Sequence, residues 1–100
     1  MNEETKVKWE VTSNSIGGKT MYAVYRLIDE DEINHSGNRE YATGYLENKR
    51  VCEYVAASLN LEHPDTAALS IEEREAVTNF ILDYLVKEQR EFKEKELRKE

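Results

Sequence analysis

The sequence predicts an α+β chain in which a three-stranded antiparallel meander is packed by a short helix and followed by a long C-terminal helix, β-β-β-α-α. Three observations carry this reading. Period-two alternation marks three segments of the first half. The turns between those segments are too short for the crossover that parallel strands require. Beyond about residue 48 the apolar period becomes helical.

The first strand is signalled by VKWEV, where Val7, Trp9 and Val11 alternate with Lys8 and Glu10. Ser13 to Lys19, SNSIGGK, then reads as a turn, because Gly17 and Gly18 can adopt positive φ. In MYAVYRLI, Met21, Ala23, Tyr25 and Leu27 share one face, and Tyr22, Val24, Arg26 and Ile28 the other. Apolar groups on both faces mark a central strand. The polar loop DEDEINHSGN leads to a third strand within REYATGYL, Arg39 to Leu46.

Val51, Val55 and Leu59 recur four apart with Cys52 and Ala56 beside them, which predicts a helix from about 49 to 60, opened by Asn48 and closed near Asn60. A connector containing Pro64 follows. Ser70 and Glu73 form a capping-box signature ahead of a second helix over about 71–97. Its expected apolar stripe is Val77, Phe80, Ile81, Tyr84 and Leu85, thinning to Phe92 and Leu97. The pairs Glu91–Lys95 and Glu94–Arg98 favour helix in the charged extension, although its end is expected to fray. One hundred residues fit a single domain, with the sheet and first helix at about 6–60.

Charge narrows the function classes. The net charge is −7, and residues 29–47 hold six acids against Arg39 alone, a local sum of −5. Nucleic acid attracts clustered lysine and arginine, so DNA or RNA binding is disfavoured. The opposite electrostatic alternative, an acidic mimic of DNA, is diluted by 14 basic residues. No apolar run is long enough to span a bilayer, and MNEETKVKWE lacks the apolar core of a secretory signal. Cys52 is the single cysteine, which excludes an internal disulfide and a cysteine-rich zinc site. A cytoplasmic location is expected.

INHSGNRE gathers the chemically suggestive groups His35, Ser36, Arg39 and Glu40. The surrounding DEDE could join His35 around a metal, but neither the spacing of a calcium loop nor HExxH is present. Ser36 lacks the GxSxG elbow of an activated nucleophile. The same letters suit a polar turn, with His35, Arg39 and Glu40 as loop contacts and Arg39 free to pair with Glu40 or the preceding acids. GGKT lacks the spacing of a phosphate loop. No catalytic set, metal site or cofactor is predicted, and no enzymatic activity.

The aromatic residues point elsewhere. Trp9, Tyr22, Tyr25, Tyr41 and Tyr45 fall on both faces of the predicted sheet, and one helical layer covers only one face. With Phe80, Tyr84 and Phe92 of the long helix, they form the candidate interaction surface for a second copy or a protein partner.

W-x-V in the first strand, YAVYRLIDEDEINHSGNREYATGYLENKR and a helix ending AASLN resemble small, mostly uncharacterised proteins of Gram-positive bacteria, often carried by prophages or conjugative elements. The likeness covers about residues 7–61. It implies an accessory protein of a mobile element and transfers no catalytic residues.

Overall fold

The computed structural model describes residues 7–98; the side chains of Ser36 and of residues 91–98 lie outside the description. The expectations placed on Phe92 and on the pairs Glu91–Lys95 and Glu94–Arg98 therefore fall outside the described residues.

Gly17 and Gly18 have φ of 61° and 82°, the paired left-handed geometry of a tight two-residue hairpin. They join β1 (Glu10–Ile16) to β2 (Lys19–Leu27). This corrects the expected turn at Ser13–Lys19. Because the two glycines reverse the chain unaided, Ser13 to Ile16 lie opposite Lys19 to Tyr22 and extend the strand. β3 (Arg39–Tyr41) pairs with the other side of β2, giving a fully antiparallel sheet in the order β1-β2-β3.

β3 is shorter than REYATGYL because the chain bulges. Ala42 N–H still donates to Val24 C=O at 2.9 Å. The Val24 N–H then finds the Thr43 hydroxyl, at 3.1 Å, in place of a main-chain acceptor. Pairing resumes at Leu46, which exchanges two hydrogen bonds of 2.7 Å with Tyr22. Thr43 is thereby buried as a side-chain substitute for one rung of the ladder.

α1 (Lys49–Leu59) opens where Asn48 Oδ1 accepts from Val51 N–H at 3.1 Å. At its other end, Glu62 N–H donates to Ala57 C=O and Leu61 N–H to Ser58 C=O, the paired closure of a Schellman motif. Leu61 takes the left-handed position with φ of 65°. α2 (Ile71–Arg98) opens with the reciprocal capping box: Glu73 N–H donates to Ser70 Oγ, and Ser70 N–H to Glu73 Oε1.

Both helices lie on one face of the sheet. Trp9 and Val24 meet Val51, Cys52 and Val55 of α1 and Val77 and Tyr84 of α2 in the core. The alternation of β2 is as the sequence implies. Tyr22 and Val24 pack toward the helices, while Ala23 and Tyr25 are buried on the other face, apart from that core.

Candidate functional site

The two faces of β2 carry different aromatic arrangements. On the helix side, the ring of Trp9 stands edge-on to Tyr84, with centroids 5.0 Å apart. The Arg26 guanidinium lies 4.5 Å from the Trp9 ring centroid. Arg26 Nε also donates to Glu40 Oε1 at 2.9 Å. The Tyr84 hydroxyl donates its proton to Glu88 Oε2 at 2.6 Å, with Glu40 Oε2 3.2 Å away. Burial first, then the bond to Glu88, push the Tyr84 phenol far above its ordinary pKa. This network ties α2 to the sheet. Trp9 and Tyr84 are each only 6 % exposed, so both belong to the core and offer little surface to a partner. Tyr22 and Phe80 pack partly buried against the same core.

Glu40 thus takes a different partner from the one expected. It points to the helix side and binds Arg26, whereas Arg39, one residue earlier in an extended strand, points to the open face. There the Arg39 guanidinium lies over the Tyr25 ring, 4.3 Å from its centroid. Its Nε donates to Asn34 Oδ1 at 2.8 Å, and its Nη1 reaches the hydroxyls of Thr12 and Tyr41, both at 3.4 Å. The bond to Tyr41 leads the causes that raise the Arg39 pKa. Tyr41 sits between Tyr25 and Tyr45, with centroid distances of 6.4 and 6.2 Å. Burial, followed by the neighbouring Tyr41, raises the pKa of Tyr45. Tyr25 donates from its hydroxyl to Glu10 Oε1 at 3.1 Å and is 6 % exposed. The open face is therefore covered by its own arginine and tyrosines.

The histidine loop is organised as a turn. His35 is exposed, and its Nδ1 accepts from Gly37 N–H at 3.1 Å. Asn38, the asparagine of the SGN turn, is the loop's anchor. It is 5 % exposed; its side chain bonds both the N–H and C=O of Asp29 and also the C=O of Ile33. Its placement between Gly37 and a strand is the one sequence signal, since asparagine readily replaces backbone partners in turns. No three His, Cys, Asp or Glu side chains gather to hold a metal among the described residues. Cys52 is buried, and burial pushes its thiol up to about 11, away from nucleophilic thiolate.

An exposed apolar ridge lies on α2. Leu82, Leu85 and Val86 are 52 %, 46 % and 52 % exposed, at the three- and four-residue spacings that place side chains on one helical face. This corrects the expected stripe at Leu85. Each residue advances about 100° around the helix, so following the buried Tyr84 swings Leu85 away from the core. Val77 is buried and Phe80 and Ile81 are half-buried on the inner side. No helix among the described residues is long and apolar enough to cross a membrane. Compared with models of protein families, curated proteins and solved structures, the chain matches none.

Proposed function

We propose that this chain is a small non-enzymatic interaction domain that self-associates through the outer ridge of α2. The observation that carries the reading is the contiguous exposure of Leu82, Leu85 and Val86 behind a helix face already fixed to the core by Val77 and Tyr84. Removing the rest of these three side chains from water contributes about 3 kcal/mol per copy, before the entropic cost of association. A twofold arrangement meets this surface with the same ridge of a second copy, which needs no further chain. An accessory role on a mobile element, which the resemblance implies, is compatible with such a domain because it requires binding and no chemistry.

Sedimentation equilibrium on the wild-type chain and on Leu85→Glu tests the proposal. The substitution places charge on the ridge without entering the core. A lower average mass for folded Leu85→Glu is the expected result; an unchanged mass overturns the assignment of the ridge.

A further inference from the structure

The two edges of the sheet are treated differently. β3 is three residues long and ends in the Thr43 bulge, two devices that discourage another strand from adding to an edge. β1 has neither. Its seven residues pair with β2 in unbroken register, and from Val11 to Ile16 it contains no charge and no proline.

The direction of its main-chain groups follows from β2. Tyr22 and Val24 direct their N–H and C=O groups toward Leu46, Ala42 and Thr43, on the β3 side. Alternation then turns Met21, Ala23 and Tyr25 toward β1, where they meet Asn14, Thr12 and Glu10. The main-chain groups of Val11, Ser13 and Ser15 consequently point out of the sheet. Trp9 has the same parity, and its outward pair is already satisfied. Asn60 Oδ1 accepts its N–H at 2.9 Å, and Asn60 Nδ2 donates to its C=O at 3.0 Å. Among the described residues, the open part of the edge is thus bounded by Asn60 at one end and by the Gly17–Gly18 turn at the other.

We infer that this edge pairs with β1 of a second copy, antiparallel about a twofold axis at Ser13. The inference is a second interface that rests on the self-association reading but not on the α2 ridge. Ser13 is the midpoint of the outward set, so that axis places Val11 opposite Ser15 of the other copy and Ser13 opposite Ser13. Every outward residue meets an outward residue, and Asn14 releases the Ser15 N–H that it holds at 2.9 Å in the single chain. Thr12 falls opposite Asn14, and Glu10 opposite Ile16. Two chains of net charge −7 consequently meet along a seam with no like charges facing each other. An uncharged extended stretch is the complement this edge requires, and β1 itself supplies one.

The test uses Ser13→Pro and Ser13→Lys in the full-length chain. Proline removes an outward N–H and leaves the ladder to β2 intact. Lysine preserves the backbone and places two like charges together at the axis. Mass by light scattering is compared with Leu85→Glu and with the combined variants, and amide hydrogen exchange reads Val11 and Ser13 directly. With both interfaces present, wild type assembles beyond a dimer. Either Ser13 variant reduces it to a dimer, and combination with Leu85→Glu reduces it to a monomer. The Val11 and Ser13 amides gain protection as wild-type concentration rises, and a folded Ser13→Lys loses that gain at Val11. Unchanged mass in folded Ser13→Lys, or no concentration-dependent protection, overturns the β1 pairing while leaving the ridge to its own test. An unchanged mass in Leu85→Glu together with loss of assembly in Ser13→Lys overturns the ridge and retains β1. A monomeric wild type overturns both.

Discussion

Asn60 holds Trp9 by both main-chain groups, accepting from its N–H at 2.9 Å and donating to its C=O at 3.0 Å. A residue at the end of α1 therefore acts as the strand neighbour that Trp9 lacks. Asn60→Ala removes both bonds and leaves a part-buried backbone pair without its partner. Urea unfolding is expected to show a loss of about 1–3 kcal/mol with little change in slope. A difference of only a few tenths would show that solvent satisfies Trp9 equally well.

The Thr43 bulge makes a similarly local prediction. Thr43→Val keeps the side-chain shape but leaves the buried Val24 N–H without its acceptor at 3.1 Å. The expected destabilisation is about 1–3 kcal/mol, most of it recovered by Thr43→Ser. A larger loss in Thr43→Ser than in Thr43→Val would assign the effect to packing of the γ-methyl group, which valine keeps and serine lacks.

Leu61 combines a left-handed φ of 65° with 77 % exposure. Glycine suits that position of the Schellman closure, and little packing is lost by removing the leucine. Leu61→Gly should therefore raise stability by about 1 kcal/mol in chemical denaturation. A loss of stability would mean that the leucine has a packing role in the folded chain.

Tyr84 gives the fold an alkaline sensitivity with a defined sign. Its folded-state pKa lies above the ordinary value of 10.0, chiefly because it is buried. The stabilisation is fully present below that ordinary value and is lost above it, since unfolded tyrosine ionises there while folded Tyr84 keeps its proton. The urea midpoint should fall as pH rises above about 10, and fall less steeply in Tyr84→Phe. Tyr45, whose pKa is also raised, leaves a residual slope in that variant. Identical slopes would remove Tyr84 as a source of the effect.

Cys52 should be inert in the native chain. It is buried at 0 % exposure with its thiol at about 11, so a thiol-specific disulfide reagent should label it only as fast as the fold opens. Rapid stoichiometric labelling at neutral pH, without unfolding, would contradict its place in the core.

Much of the fold was legible because local chemistry and burial agree. The faces of β2, the Asn48 cap and the Ser70–Glu73 box all appear where residue type and spacing point to them. Two kinds of feature escaped that logic. The polar end of β1 looks like a turn by composition and becomes strand because the glycine pair fixes its register. The long-range bonds of Asn60 and Thr43 replace main-chain partners through single side chains, and no periodicity announces them. The candidate surface was legible as a set of aromatic residues. Its division was not, since burial of Trp9 and Tyr84 and stacking of Arg39 on Tyr25 arise only from the packed sheet. Leu82 and Val86 are not legible as a surface, because apolar residues on both sides of α2 leave its buried side to be decided by packing.

Light scattering of the wild-type chain over a wide concentration range tests self-association most directly. The account predicts a mass well above the monomer's 11.7 kDa that rises with concentration. A constant mass of 11.7 kDa throughout would contradict it.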